Sequence, residues 1–241
     1  MTDVVLRDTT LCSIVRDEAM NPAGGVRRFL RSVMPHVEEG VVVDTGSCSR
    51  EGTREILDES AREFSHLRVY DLNGKFEGYA QARNFALSYV KTKRVLVLDA
   101  DEILTQNGFD ALNYFMEGQI VNAISFEFID VYSDWIDKSD FGHNPRLFNK
   151  EGNKYFNSSR MWCGEYLENS KLIEQRYTNV KIFHFRSFYK ARAIKERNWY
   201  TNTPSCSSVG PSKVEGFNQW KKFNPKRNNY KASELDVPES L

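Results

Sequence analysis

The chain has no apolar run long enough to cross a bilayer. A helical span takes about 20 apolar residues, and the longest runs here, such as Val41-Val42-Val43 and Val95-Leu96-Val97-Leu98, are strand-sized. No transmembrane segment is expected. The chain also lacks net charge, with 33 Lys and Arg against 33 Asp and Glu, so no global field points to nucleic acid as a partner. Cysteine is sparse. Cys12, Cys48, Cys163 and Cys206 are not paired at metal-ligand spacing, and four in 241 residues do not make a disulfide scaffold. They read as reduced thiols. The opening Met1-Thr2-Asp3-Val4-Val5 has no basic-then-apolar leader pattern, so a cytoplasmic location is expected. There are no internal repeats.

What remains is an ordinary globular composition, 40% hydrophobic and 27% charged. The length suits one large domain, or one domain with an appendage. Strand and helix patterns alternate through the first half. Strands are expected at Thr10 to Val15, Val41 to Val43, Leu67 to Tyr70 and Arg94 to Leu98. Between them, apolar residues recur at helical spacing over Gly25 to Val33, Thr53 to Phe64 and Tyr79 to Val90. This order predicts an α/β fold, an open and mostly parallel sheet with right-handed crossovers. Ligands of such sheets bind beyond the carboxyl ends of the strands. Gln106 to Met116 reads as a further helix. Strands are then expected at Ile120 to Val131, Arg146 to Phe148, Tyr155-Phe156 and Val180 to Phe185, a mixed C-terminal half. Phe188 to Tyr200 reads as a basic-aromatic helix, packed on the surface, closing over one ligand as a lid, holding a second ligand, or in peripheral contact with a membrane. From about Thr203 the chain turns polar. The expected division is therefore 1–104 as a ligand-binding half, 105–202 as a second half of the same domain, and 203–241 as a polar extension.

The chemistry concentrates at strand ends. In Arg94-Val95-Leu96-Val97-Leu98-Asp99-Ala100-Asp101-Glu102, apolar β-formers stop at carboxylates. If the chain stays extended there, Asp99 and Asp101 point the same way. Two adjacent carboxylates repel, and a divalent cation offsets that cost. Mg²⁺ or Mn²⁺ suits such oxygens and commonly arrives with phosphates. Asp44 closes another β-branched run before a Gly/Ser turn, Val43-Asp44-Thr45-Gly46-Ser47, where a carboxylate can accept the imino hydrogen of a nucleobase. Arg83 follows small residues in Gly78-Tyr79-Ala80-Gln81-Ala82-Arg83-Asn84, on a helix whose other face is apolar. Its rigid fork suits phosphate or base oxygens.

Taken in order, Leu11-Cys12-Ser13-Ile14-Val15-Arg16-Asp17-Glu18, VVVDTGSCSREGT, ARNFAL and LVLDADE resemble the GT-A glycosyltransferases of family 2. The resemblance is strong over residues 10 to 105 and weaker to about 200. It implies a GT-A, Rossmann-like fold that binds a nucleoside-diphosphate sugar, with UDP favoured over GDP. Asp44 would recognise the base and Arg83 would brace the nucleotide, with Arg16 nearby. Asp99, Ala100 and Asp101 would form the donor-binding triplet. A divalent metal, Mn²⁺ or Mg²⁺, would sit on Asp101 and Asp99, with the late His184 completing its shell. Asn144-Pro145-Arg146-Leu147-Phe148 and Trp162-Cys163-Gly164-Glu165-Tyr166-Leu167 match later family segments, with Gly164 where His is common. Glu165 would be the general base of an inverting transfer to a glycan, lipid-linked or protein hydroxyl. Glu168 and Asp134 are its substitutes, and Glu102 could steady the metal loop. The second motif is longer than the family's usual form. Two other readings compete: a non-catalytic nucleotide-sugar or glycan-binding module, and a nucleotidyltransferase, whose Gly-rich phosphate loop is missing between Leu11 and Glu18.

Overall fold

The structure, a computed structural model, describes residues 6–19, 25–47, 49, 52–72, 74, 76–116, 123–131, 136–141, 145–157, 165–168 and 174–185. The expected 188–200 helix and the 203–241 extension lie outside the described residues.

Four strands form a parallel half-sheet: β1 (Leu6–Val15), β2 (Val37–Asp44), β3 (Leu67–Asp71) and β4 (Arg94–Val97). Three helices connect them, α1 (Gly25–Val33), α2 (Thr53–Glu63) and α3 (Tyr79–Tyr89). The order β3-β2-β1-β4 means that the chain winds outward on one side of β1, then crosses back to the other. The reversal lies between β1 and β4, and there the connections diverge and leave a crevice.

Both faces of β1, β2 and β4 are buried over most of their length. Leu11, Val42, Leu96 and Leu98 pack with α1, α2 and α4 (Gln106–Met116) in one apolar cluster. Cys12, Val41, Val43, Val95 and Val97 pack with Ala80, Ala82, Ala86 and Leu87 of α3 in the other. Alternate residues thus serve opposite cores, which is why the strands read as unbroken apolar runs.

Beyond β4 the sheet is mixed. β5 (Glu102–Leu104), β6 (Ala123–Val131), β7 (Ile136–Phe141), β8 (Leu147–Asn149) and β11 (Glu174–Phe185) extend it in the order β4-β8-β6-β11-β5, with β7 also on β6. β5, from the first half of the chain, pairs antiparallel with β11 from the second, so the two halves share one sheet. A separate hairpin, β9 (Lys154–Asn157) and β10 (Glu165–Glu168), sits beside α3. Three of these strands, β5, β7 and β10, were not expected from the pattern, and β11 begins before the expected Val180. Among the described residues no helix is long and apolar enough to cross a membrane.

Leu96 is fully buried in β4, between β1 and β8. Its replacement by Ala is expected to destabilise the protein by about 3 kcal/mol, read from denaturant midpoints. Tyr114→Ala, at a position 77% exposed, is expected to stay within about 0.5 kcal/mol of wild type.

Candidate functional site

The carboxyl ends of β1, β2 and β3 finish level, because Val15 pairs with Asp44 and Asp44 with Asp71. Asp44 is buried, and its Oδ1 accepts the backbone N–H of Gly46 at 3.1 Å and of Ser47 at 2.8 Å. This turn works because Gly46 takes φ +103°, which a side chain would resist. The Ser47 hydroxyl in turn accepts the Asp17 N–H at 3.0 Å, and the Thr53 hydroxyl accepts the Ala19 N–H at 2.9 Å. The loop after β1 is thereby tied to the loop after β2. Asp17 stands at φ +55°, a left-handed conformation that Asp tolerates better than most residues. Arg16, just before it, is buried.

The segment after β4 does not run extended. The Glu102 N–H donates to the Asp99 carbonyl at 2.9 Å, closing a turn, and Glu102 Oε2 accepts the Asp99 N–H at 3.0 Å. Ala100 is buried in the apolar core. Asp99 and Asp101 therefore part company. Asp99 Oδ1 accepts from Arg83 Nη2, and its Oδ2 lies 3.6 Å from Arg146 Nη2. The same Arg146 nitrogen bonds Glu102 Oε1, and Glu102 is almost fully buried. Asp101 instead has its Oδ2 3.5 Å from His184 Nε2. His184 reaches this position because β11 pairs with β5, His184 opposite Glu102.

Arg83 joins this turn to the hairpin. Its side chain is buried, and its Nε donates to Glu165 Oε1 at 3.3 Å. The hairpin is fixed to α3 a second time. Asn84 Nδ2 donates to the Tyr155 carbonyl and Asn84 Oδ1 accepts the Tyr155 N–H, both at 2.8 Å. The structure thus gathers Arg83, Asp99, Asp101, Glu165 and His184 around one turn, while Asp44 and Arg16 stand at the ends of β2 and β1. Arg146 was not singled out as a site residue from the sequence. Its one signal is its place ahead of Leu147-Phe148, where β8 pairs with β4 and sets the Arg146 carbonyl on the Val97 N–H at 2.7 Å.

Burial and charge set the titration of the cluster. Desolvation raises the Asp44 carboxyl, partly opposed by the Ser47 and Gly46 hydrogen bonds. At Asp99 desolvation is outweighed by Arg83 and Arg146, and the carboxyl falls below its ordinary value. At Glu102 desolvation outweighs Arg146, and Asp99 adds to it, so the carboxyl is pushed up to about 7. Cys12, beneath Arg83 and Asp99, is a buried thiol pushed up to about 12 by desolvation, too weak an acid to act as a nucleophile near neutrality.

A carboxyl raised on folding is protonated in the folded chain while the unfolded chain has already ionised. Glu102 therefore costs stability as pH rises from its model-peptide value near 4.5 to about 7, and the cost is constant above that. Glu102→Gln removes this dependence. The stability difference between E102Q and wild type, from denaturant midpoints, is expected to move in favour of E102Q between pH 5 and pH 7.5. A constant difference across that interval would contradict the assignment.

The chain is similar to several known proteins. A TPR repeat-containing protein of Synechococcus elongatus is 37% identical over 99 residues, 41% of this chain and 22% of that protein. Among solved structures, S. aureus TarS superposes with a TM-score of 0.54 at 11% identity, covering 97% of this chain and 46% of TarS. TarS 1–349 in complex with UDP-GlcNAc gives 0.54 at 13% identity, covering 94% and 77%. GalNAc-T7 with UDP, GalNAc and Mn²⁺ gives 0.51 at 11% identity, covering 74% and 44%. The chain spans less than half the length of TarS and about a fifth of the Synechococcus protein. The sequence model of glycosyl transferase family 2 matches residues 19–165, more than half of the chain. The fold is GT-A, and the chain belongs to glycosyl transferase family 2.

Proposed function

We propose that the protein transfers a sugar from a UDP-sugar to a hydroxyl acceptor, a glycan, a lipid-linked sugar or a protein, with inversion at the anomeric carbon. The observation that carries this reading is the place of the acidic turn: Asp99 and Asp101 follow β4 at the switch point, Arg83 of α3 reaches Asp99 there, and Asp44 ends β2 on the other side of β1. The UDP-GlcNAc complex of TarS 1–349 supports the choice of donor. Asp44 keeps Oδ1 on two backbone amides and offers Oδ2 to the uracil imino hydrogen. Arg83 Nη1 is buried with no acceptor among the described residues. A buried donor left unmet costs about 1–3 kcal/mol, and an oxygen of the donor substrate would meet it.

The residues present fit a divalent cation. A carboxylate oxygen and an imidazole nitrogen stand 3.5 Å apart at Asp101 and His184, a donor pair that Mn²⁺ accepts, as does Mg²⁺ with more reluctance. Among the described residues no three His, Cys, Asp or Glu side chains converge as a metal group, so diphosphate oxygens and water would supply the other positions. Asp99 stands beside this pair and is oriented by Arg83 and Arg146. When bound, such an ion supplies Lewis-acid stabilisation to the departing diphosphate; GalNAc-T7 is solved with Mn²⁺.

Glu165 is the proposed general base. Its carboxylate removes the acceptor hydroxyl proton as that oxygen bonds the anomeric carbon and the bond from that carbon to the diphosphate oxygen breaks, releasing UDP. Arg83 fixes the orientation of this carboxylate through the 3.3 Å bond to Oε1.

Glu165→Gln keeps the shape and the hydrogen-bond acceptor but not the basicity. In an assay of nucleotide release from UDP-sugars, it is expected to lower kcat by about 10²–10⁴ with little change in donor KM. Full turnover in E165Q would remove Glu165 from the base role.

A further inference from the structure

We infer that Asn84 is a positioning residue for transfer: by clasping β9 it holds Glu165 in place against Arg83. This rests on the proposed role of Glu165. β9 and β10 form a two-stranded sheet apart from the main one, and a two-stranded hairpin in water is marginal by itself. Asn84 supplies β9 with the partner that a third strand would give. Its amide meets both backbone groups of Tyr155, donating to the carbonyl and accepting from the N–H, each at 2.8 Å. Those two groups therefore face α3 and not β10.

The consequence reaches Glu165 through register. Tyr155 stands opposite Leu167 and Asn157 opposite Glu165, so fixing β9 along α3 fixes where β10 begins. Arg83, the preceding residue on the same helix, holds the Glu165 carboxylate and Asp99 at once. Adjacent residues of α3 thus set the hairpin at two points, one through its backbone and one through the carboxylate. Arg83 alone is a single bond to a side chain and leaves the strand free to pivot. Tyr155 and Leu167 pack toward the α3 core, but apolar packing does not fix register along the strand as a two-point hydrogen bond does. Asp44 and the Asp101–His184 pair lie on β2, the 99–102 turn and β11, outside the clasp.

The test uses the full chain with Asn84→Ala and, as a variant of unchanged size, Asn84→Asp. Asp accepts the Tyr155 N–H but opposes its carbonyl. Hydrogen exchange is expected to quicken at residues 154–157 and 165–168 in both variants and to stay at wild-type rates at 9–15 and 94–97. UDP affinity is expected within about twofold of wild type, with kcat for transfer at least tenfold lower and donor KM unchanged. Wild-type kcat in either folded variant, or unchanged exchange in the hairpin, overturns the proposal, as does an equal loss of UDP binding and turnover. If wild type itself neither binds UDP nor turns over, the transferase reading has failed. The positioning role then falls with it, and the exchange rates alone still decide whether the clasp exists.

Discussion

A guanidinium taken out of water costs several kcal/mol unless negative charge meets it, and Arg83 is such a group at the floor of the site. Asp99 meets it from the turn after β4 and Glu165 from the hairpin. These partners come from segments far apart in the chain, so satisfying one buried charge joins the turn after β4 to the β9–β10 hairpin. Arg146 extends the arrangement. It bonds Glu102 and approaches the second oxygen of Asp99, so the carboxylate at the centre is held between two cations and kept ionised. Removing either arginine would leave buried carboxylates unmatched, which is why the cluster acts as a unit.

This network divides the work of the two aspartates. An extended strand end would have turned Asp99 and Asp101 to one ligand together. The turn closed by Glu102 turns Ala100 into the core and separates them, Asp99 to the arginines and Asp101 to His184. A carboxylate neutralised by two guanidiniums is a poorer cation ligand than one facing an imidazole. The geometry thus favours Asp101 as the principal metal ligand in the proposed site and gives Asp99 the task of ordering the loop.

The parallel half was legible because strands buried on both faces have few polar residues to interrupt their apolar runs, and because α1, α2 and α3 carry helical spacing between them. What escaped notice depends on distant partners. β5 is three residues long and exists as a strand by pairing with β11. β10 reads Glu-Tyr-Leu-Glu, half-buried and exposed in alternation, and is a strand because β9 is beside it. β11 begins at Glu174 and its pairing with β6 shifts register between Tyr177 and Lys181, which breaks the period-two pattern that would reveal it. The site followed the same rule. Asp44, Arg83 and the Asp99–Asp101 segment stand at ends of local patterns and could be found there. Arg146 lies in a family-like segment that gives no sign of its partners, and the pairing of β8 with β4 brings it to Glu102, 44 residues away, and to Asp99.

In the proposed function these strand ends bind a nucleoside diphosphate through a metal held by Asp101. Calorimetric titration of UDP, with and without Mn²⁺, into wild type and Asp101→Ala tests it most directly. Wild type is expected to bind UDP with Mn²⁺ present, and removing either the ion or the Asp101 carboxylate is expected to weaken binding at least tenfold. UDP binding that is indifferent to both, or no binding of UDP under any of the four conditions, would contradict it.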